Sequence, residues 1–152
     1  MASTRGLYDP FAPRFVRYVA WASIGLLVVG LALVLYLAPG TGGAGYSPSN
    51  IVGLSLVVVG GCVYLWRQAT VRATVDMTGI RVRNLLWVRS YDWPQVLAVT
   101  YGPGDPWVML ELSDGHRTAM MAIQRSDGRY AQREVDRLVS LVTLHGEAHG
   151  AD

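Results

Sequence analysis

The sequence has no lysine, a single cysteine, and no charged residue over 49 consecutive positions, Tyr18 to Trp66. With only Cys62 there is no internal disulfide, and with no ligand companion nearby this thiol reads as a small apolar filler. All 13 basic residues are therefore arginine, scattered in a way that reflects coding composition. A formal net charge of +2 argues against a nucleic-acid partner. Charge is confined to a short N-terminal arm and to the last 86 residues. That segregation describes a membrane segment followed by a soluble domain.

The uncharged run divides in two. Residues 18–38 are long enough, at about 1.5 Å per residue, to span a hydrocarbon layer about 30 Å thick. Pro39 and the glycines at 40, 42, 43 and 45 then break the helix. Ser47 followed by Pro48 predicts an N-cap and first helical residue, opening a second helix over 48–66. Gly53 and Gly60, seven residues apart, share one face of it and are expected to pack against the first helix. The alternative pairs this face with another copy of the chain in a homo-oligomer. Tyr18, Trp21, Tyr36, Tyr46, Tyr64 and Trp66 cluster near the ends, where aromatic rings favour the headgroup layer. A cleaved signal peptide fits poorly, because the first apolar segment is too long and a second follows. Arg5, Arg14 and Arg17 before the hairpin, with Arg67 and Arg72 after it, orient both termini to the cytoplasm. The expected organisation is a cytoplasmic arm (1–17), two plasma-membrane spans with a short external loop (18–66), a cytoplasmic domain (67–145) and a tail (146–152).

The soluble part reads as short strands closed by one amphipathic helix. Val71, Ala73 and Val75 alternate with Arg72, Thr74 and Asp76, and beyond the turn at Thr78–Gly79, Ile80 and Val82 alternate with Arg81 and Arg83. Further strands are expected near 87–91, 96–101, 107–113 and 116–122. Asp114–Gly115 predicts a two-residue hairpin turn with both residues at positive φ. From Ser126 or Asp127 onward, Ala131, Val135, Leu138, Val139 and Val142 follow helical spacing.

Three features in this order resemble the small bacterial PH-like domain membrane proteins: two membrane helices, the step Thr78-Gly79-Ile80-Arg81-Val82-Arg83, and the pairs Trp93…Val96 and Leu112…Gly115. Within them the chain is most similar to the actinobacterial group that includes the mycobacterial low-molecular-weight protein antigen, over about residues 16–145. The resemblance implies an α+β PH-like domain, with a bent antiparallel sheet or partial barrel capped by a C-terminal helix, and no assigned activity. Pro94 and Gln95 depart from it, standing where that group commonly carries acids. It also implies that Trp93 plugs one end of the core at a corner, with Val96 beside it, Pro94 ending the strand and Asp92 capping the turn.

Catalytic patterns are weak. Ser113, Asp114 and His116 are too close along one hairpin to act as nucleophile, orienter and base. His145 and His149 lie in a stretch that Gly146 and Gly150 are expected to fray, with no third metal ligand. Gly40 to Gly45 lacks the strand, helix and lysine of a phosphate loop. No enzyme, cofactor or metal pattern remains. Charge is more informative: residues 67–101 hold five arginines against two acids, and residues 102–152 five against eight. Arg72, Arg81 and Arg83 fall on one sheet face that either contacts anionic headgroups or is simply solvated. The leading expectation is a non-enzymatic interaction module at the inner leaflet with an unknown protein partner, and Trp107 and Met109 as its facing patch. The alternative is an anionic-lipid-binding protein that uses the arginine face.

Overall fold

The computed structural model describes residues 4–37 and 47–147. The predicted Pro39–Gly45 break and His149 lie outside the described residues. The chain forms two compact units: Val16–Ala69, and a second assembled from the segment ending at Phe15 together with the segment beginning at Thr70.

The first unit contains α2 (Phe15–Leu37, whose first residue belongs to the other unit) and α3 (Pro48–Ala69), each long and apolar enough to cross a membrane. Ser47 Oγ accepts from the Ser49 N–H at 3.2 Å, and its carbonyl receives the first helical bonds from Asn50 and Ile51. The expected packing of Gly53 and Gly60 on the first helix is not what the structure has. A methyl group at either would meet nothing within 4 Å, whereas one at Gly61 would meet Leu27 Cδ1 at 3.6 Å. At about 100° per residue, Gly61 points to a different face from Gly60.

The second unit starts with a short helix, α1 (Thr4–Leu7), and carries two three-stranded antiparallel sheets. The first is β1 (Arg72–Val75), β2 (Gly79–Arg83) and β3 (Val88–Asp92); the second is β4 (Val96–Thr100), β5 (Trp107–Leu112) and β6 (Arg117–Gln124). The closing helix α4 (Arg129–Glu147) follows. Alternation sends Ala73, Val75, Ile80 and Val82 from the first sheet, and Val108, Leu110, Leu112 and Met120 from the second, into one core that Ala131, Val135, Leu138 and Leu141 of α4 close. Fully burying each of the larger of these contributes about 1.5–3 kcal/mol.

Two local expectations change. In the β5–β6 hairpin only Gly115 has a positive φ, 80°, while Asp114 remains negative. Leu112 N donates to His116 O and accepts the Gly115 N–H at its own carbonyl, so the loop is Ser113–Gly115 with glycine in the bulge position. The closing helix also does not fray at its glycine, since it continues through His145 and Gly146 to Glu147.

The arm before the first apolar helix is part of this unit, for which its composition carries no signal. Phe11 is fully buried and forms a two-bond bridge with Ala73, N to O at 2.8 Å and the reverse at 2.9 Å. Arg137 of α4 lies 3.8 Å from the Phe11 ring centroid and donates to the carbonyls of Gly6, Leu7 and Asp9, while pairing with Glu134. Asp127 accepts the N–H groups of Arg14 and Phe15.

Candidate functional site

Strand register places the three candidate arginines together. Arg72 stands opposite Arg83, Thr74 opposite Arg81, and Arg83 opposite Val88. These five residues line a recess of about 200 Å³ on the outer face of the first sheet. Their inward neighbours, Ala73, Ile80 and Val82, are core residues, so the backbone beneath the guanidinium groups is fixed. No carboxylate pairs with Arg72, Arg81 or Arg83 among the described residues. Like charges directly opposite on neighbouring strands are destabilising by a few tenths to about 1 kcal/mol, so the Arg72–Arg83 pair is a standing electrostatic cost. An anion in the recess relieves it, and guanidinium forks with a Thr74 hydroxyl suit the several oxygens of a phosphate. A larger cavity, about 580 Å³, lies between α2 and α3 among Trp21, Val28, Leu35, Val59 and Trp66. Its lining is apolar, with nothing to orient a polar ligand.

The Trp-Pro corner holds the recess strands in place. Asp92 precedes a 3-10 turn over Trp93–Gln95, Pro94 fits at its start, and Val96 is buried beyond it. The Asp92 N–H donates to Gln95 Oε1 at 2.9 Å, so Gln95 closes the turn from its third position. Trp93 is 3% exposed and its Nε1–H donates to the Asp76 carbonyl at 2.9 Å. Asp76 in turn organises the β1–β2 turn, Oδ1 accepting from Thr78 N, Thr78 Oγ1 and Gly79 N at 2.8, 2.6 and 3.0 Å. The Thr78 hydroxyl, then the two N–H groups, hold the Asp76 carboxyl below its ordinary pKa. Gly79 is required because a Cβ there would come within 2.2 Å of the Tyr91 carbonyl oxygen.

His145 completes the corner, although the sequence pattern puts it with His149 in a stretch frayed by Gly146 and Gly150. Its ring stacks on Trp93 at 4.7 Å between centroids and 5° between planes, and its Nε2 lies 2.9 Å from Tyr8 Oη. A signal existed: His145 follows Leu138 by seven and Leu141 by four, on the same helical stripe.

Trp107 and Met109 lie on the face of β5 opposite Val108, Leu110 and Leu112, each half-buried, with Met109 between Thr100 and Ala119. Glu111 on the same face accepts from Arg117 Nη2 at 2.6 Å and Thr100 Oγ1 at 2.9 Å. The Ser113–Asp114–His116 hairpin does not converge. His116 Nδ1 is 3.3 Å from Asp114 Oδ2 with both side chains largely in water, and the His116 N–H is the main cause of the lowered Asp114 pKa.

Residues 70–139 match the family model described as "Bacterial PH domain". The chain is also 30% identical over 136 residues to an uncharacterised protein of Mycobacterium bovis and to uncharacterised proteins of two Mycobacterium tuberculosis strains, covering 88% of this chain and 87% of each relative. No solved structure matches significantly. PH-like domains are generally interaction modules without catalysis, and two sheets closed by a C-terminal helix fit that fold. Residues 70–139 are thus a domain of the bacterial PH type, and the chain as a whole belongs with these uncharacterised mycobacterial proteins.

Proposed function

We propose that this chain is a non-enzymatic, membrane-anchored PH-like module at the inner leaflet of the plasma membrane, with both termini cytoplasmic, whose Arg72–Arg81–Arg83 recess binds anionic lipid headgroups. The observation that carries the reading is three guanidinium groups and one hydroxyl around a recess of about 200 Å³ with no carboxylate pairing them among the described residues. Supporting it, only Thr70 and Val71 separate the end of α3 from the start of β1 in the chain, and both α2 and α3 have the length and composition of membrane spans. Each arginine near an anionic surface contributes about 1 kcal/mol, or about a fivefold effect on affinity.

The test is native mass spectrometry of the full-length protein from mild detergent, titrated with phosphatidylglycerol or phosphatidylcholine. The expected result is selective retention of the anionic lipid, reduced about fivefold by Arg81→Ala and further by Arg81→Ala/Arg83→Ala. Equal retention of the two lipids, or indifference to the substitutions, overturns it. A second reading, a protein partner at Trp107 and Met109, rests on the placement of both side chains on the β5 face turned away from the core. Crosslinking in cells followed by recovery of a stoichiometric partner that Trp107→Ala/Met109→Ala loses would favour it over the lipid reading.

A further inference from the structure

Beside the recess, the turn joining β2 to β3 has an unusual composition: Asn84-Leu85-Leu86-Trp87. Its closing bond, Asn84 N to Trp87 O at 2.9 Å, leaves Leu85 and Leu86 as the two central residues, neither at positive φ. Turn geometry does not call for leucine there, since such positions favour glycine, asparagine, aspartate or serine. Leu86 is nevertheless 79% exposed, and Val88, just after it, is 48% exposed.

This tip is held rigidly. Asn84 is buried, donating from Nδ2 to the Ala119 carbonyl at 2.6 Å and accepting the Met121 N–H at Oδ1 at 3.1 Å, both on β6. Trp87 packs against the core with the Arg89 guanidinium 5.2 Å from its ring centroid. Both ends of the turn are thus anchored while Leu86 between them stays in water. Arginines flank it on both strands and on both faces: Arg83 precedes the turn on the recess face with Arg72 and Arg81, and Arg89, paired with Val82, follows it on the other face.

We infer that the Leu85–Leu86 tip is an interfacial insertion element, which places Leu86 among the acyl-chain boundary of an anionic bilayer while Arg83 and Arg89 stay with the headgroups. An apolar apex flanked by cations matches that layer: the apex gains apolar contact while the flanking guanidinium groups meet phosphate. This rests on the reading of the arginine recess as facing anionic lipid, and adds how the domain seats.

The test uses the full chain reconstituted in vesicles of phosphatidylglycerol and phosphatidylcholine, in a Cys62→Ser background. An environment-sensitive fluorophore is attached at Leu86→Cys or, as a control, at Leu97→Cys, an exposed apolar site on β4. The expected result is a shift to shorter wavelength and quenching by shallow doxyl lipids at position 86 but not at 97. With the probe moved to Leu85→Cys, the other central residue of the turn, Leu86→Glu should abolish the quenching, a substitution the fold tolerates because the Leu86 side chain is in water. A spectrum at position 86 like that at 97 overturns insertion, whether the tip is solvated or meant for a protein. If Arg81→Ala/Arg83→Ala still loses lipid retention in that case, the recess reading survives without it. Quenching at 86 that is equal in purely zwitterionic vesicles supports insertion and counts against the recess.

Discussion

Replacing Phe11 by alanine tests whether the segment before the first apolar helix is structural. The Phe11 ring is fully buried, packed in the core with Ala73 and under the Arg137 guanidinium at 3.8 Å. Buried Phe→Ala substitutions cost about 3–5 kcal/mol, a large share of the 5–15 kcal/mol typical of a domain. The two backbone bonds to Ala73 do not depend on the side chain, so the loss isolates the ring. Removing the guanidinium with Arg137→Met should couple to it by about 0.5–2 kcal/mol in a double-mutant cycle, the range for a partly desolvated cation over an aromatic face. Hydrogen exchange of the full-length protein in micelles reads the result, because opening of the edge exposes the Ala73 amide. The reasoning fails if Phe11→Ala lowers the opening free energy by less than about 1 kcal/mol and leaves Ala73 protected.

Two further outcomes follow from charge. Asp76 has a folded pKa depressed below its unfolded value of about 3.9, so its stabilisation is complete above that value and is lost as pH falls through the depressed pKa. Acid titration of stability should therefore lose part of its slope below about pH 4 in Asp76→Asn, and an unchanged acid limb would count against the hydroxyl and N–H bonds as the cause. Arg72→Thr, which removes one of two like charges facing across β1 and β2, should raise the stability of the sheet by about 0.2–1 kcal/mol at low salt, with the gain fading as salt is added, while weakening anionic-lipid retention. Denaturation of the full chain at two ionic strengths checks it, and a destabilised variant would show that the arginines do not repel.

The parts of the fold that were legible are those with a local period. Ala73, Val75, Ile80 and Val82 against Arg72, Thr74, Arg81 and Arg83 report a half-buried hairpin directly, and the same alternation puts Arg72, Arg81 and Arg83 on one face, while the place of Val88 beside them needs the pairing of β2 with β3. Val108, Leu110 and Leu112 did the same for β5 and left Trp107 and Met109 outside. Asp114–Gly115 marked the right turn with the wrong geometry, because a dipeptide does not distinguish a two-residue loop from a three-residue loop with a glycine bulge.

What was illegible is the sealing of sheet edges, and it has one physical origin. β1 and β6 are both outer strands, whose unpaired N–H and C=O groups must find partners or water. Phe11 supplies both bonds to Ala73 on β1 from far upstream, and the Asn84 amide supplies both to Ala119 and Met121 on β6 from the other sheet. Neither partner has a periodic neighbour to announce it, since Phe11 lies between two prolines with one alanine intervening and Asn84 is a polar residue in a turn. The edges themselves were nonetheless deducible from the strand count. Asking which remaining residues carry a paired donor and acceptor, in an amide side chain or an extended backbone, narrows the search to segments such as these. Asn84 thus does at β6 what a further strand would have done, and the same pair of bonds anchors the start of the turn that carries the exposed Leu86.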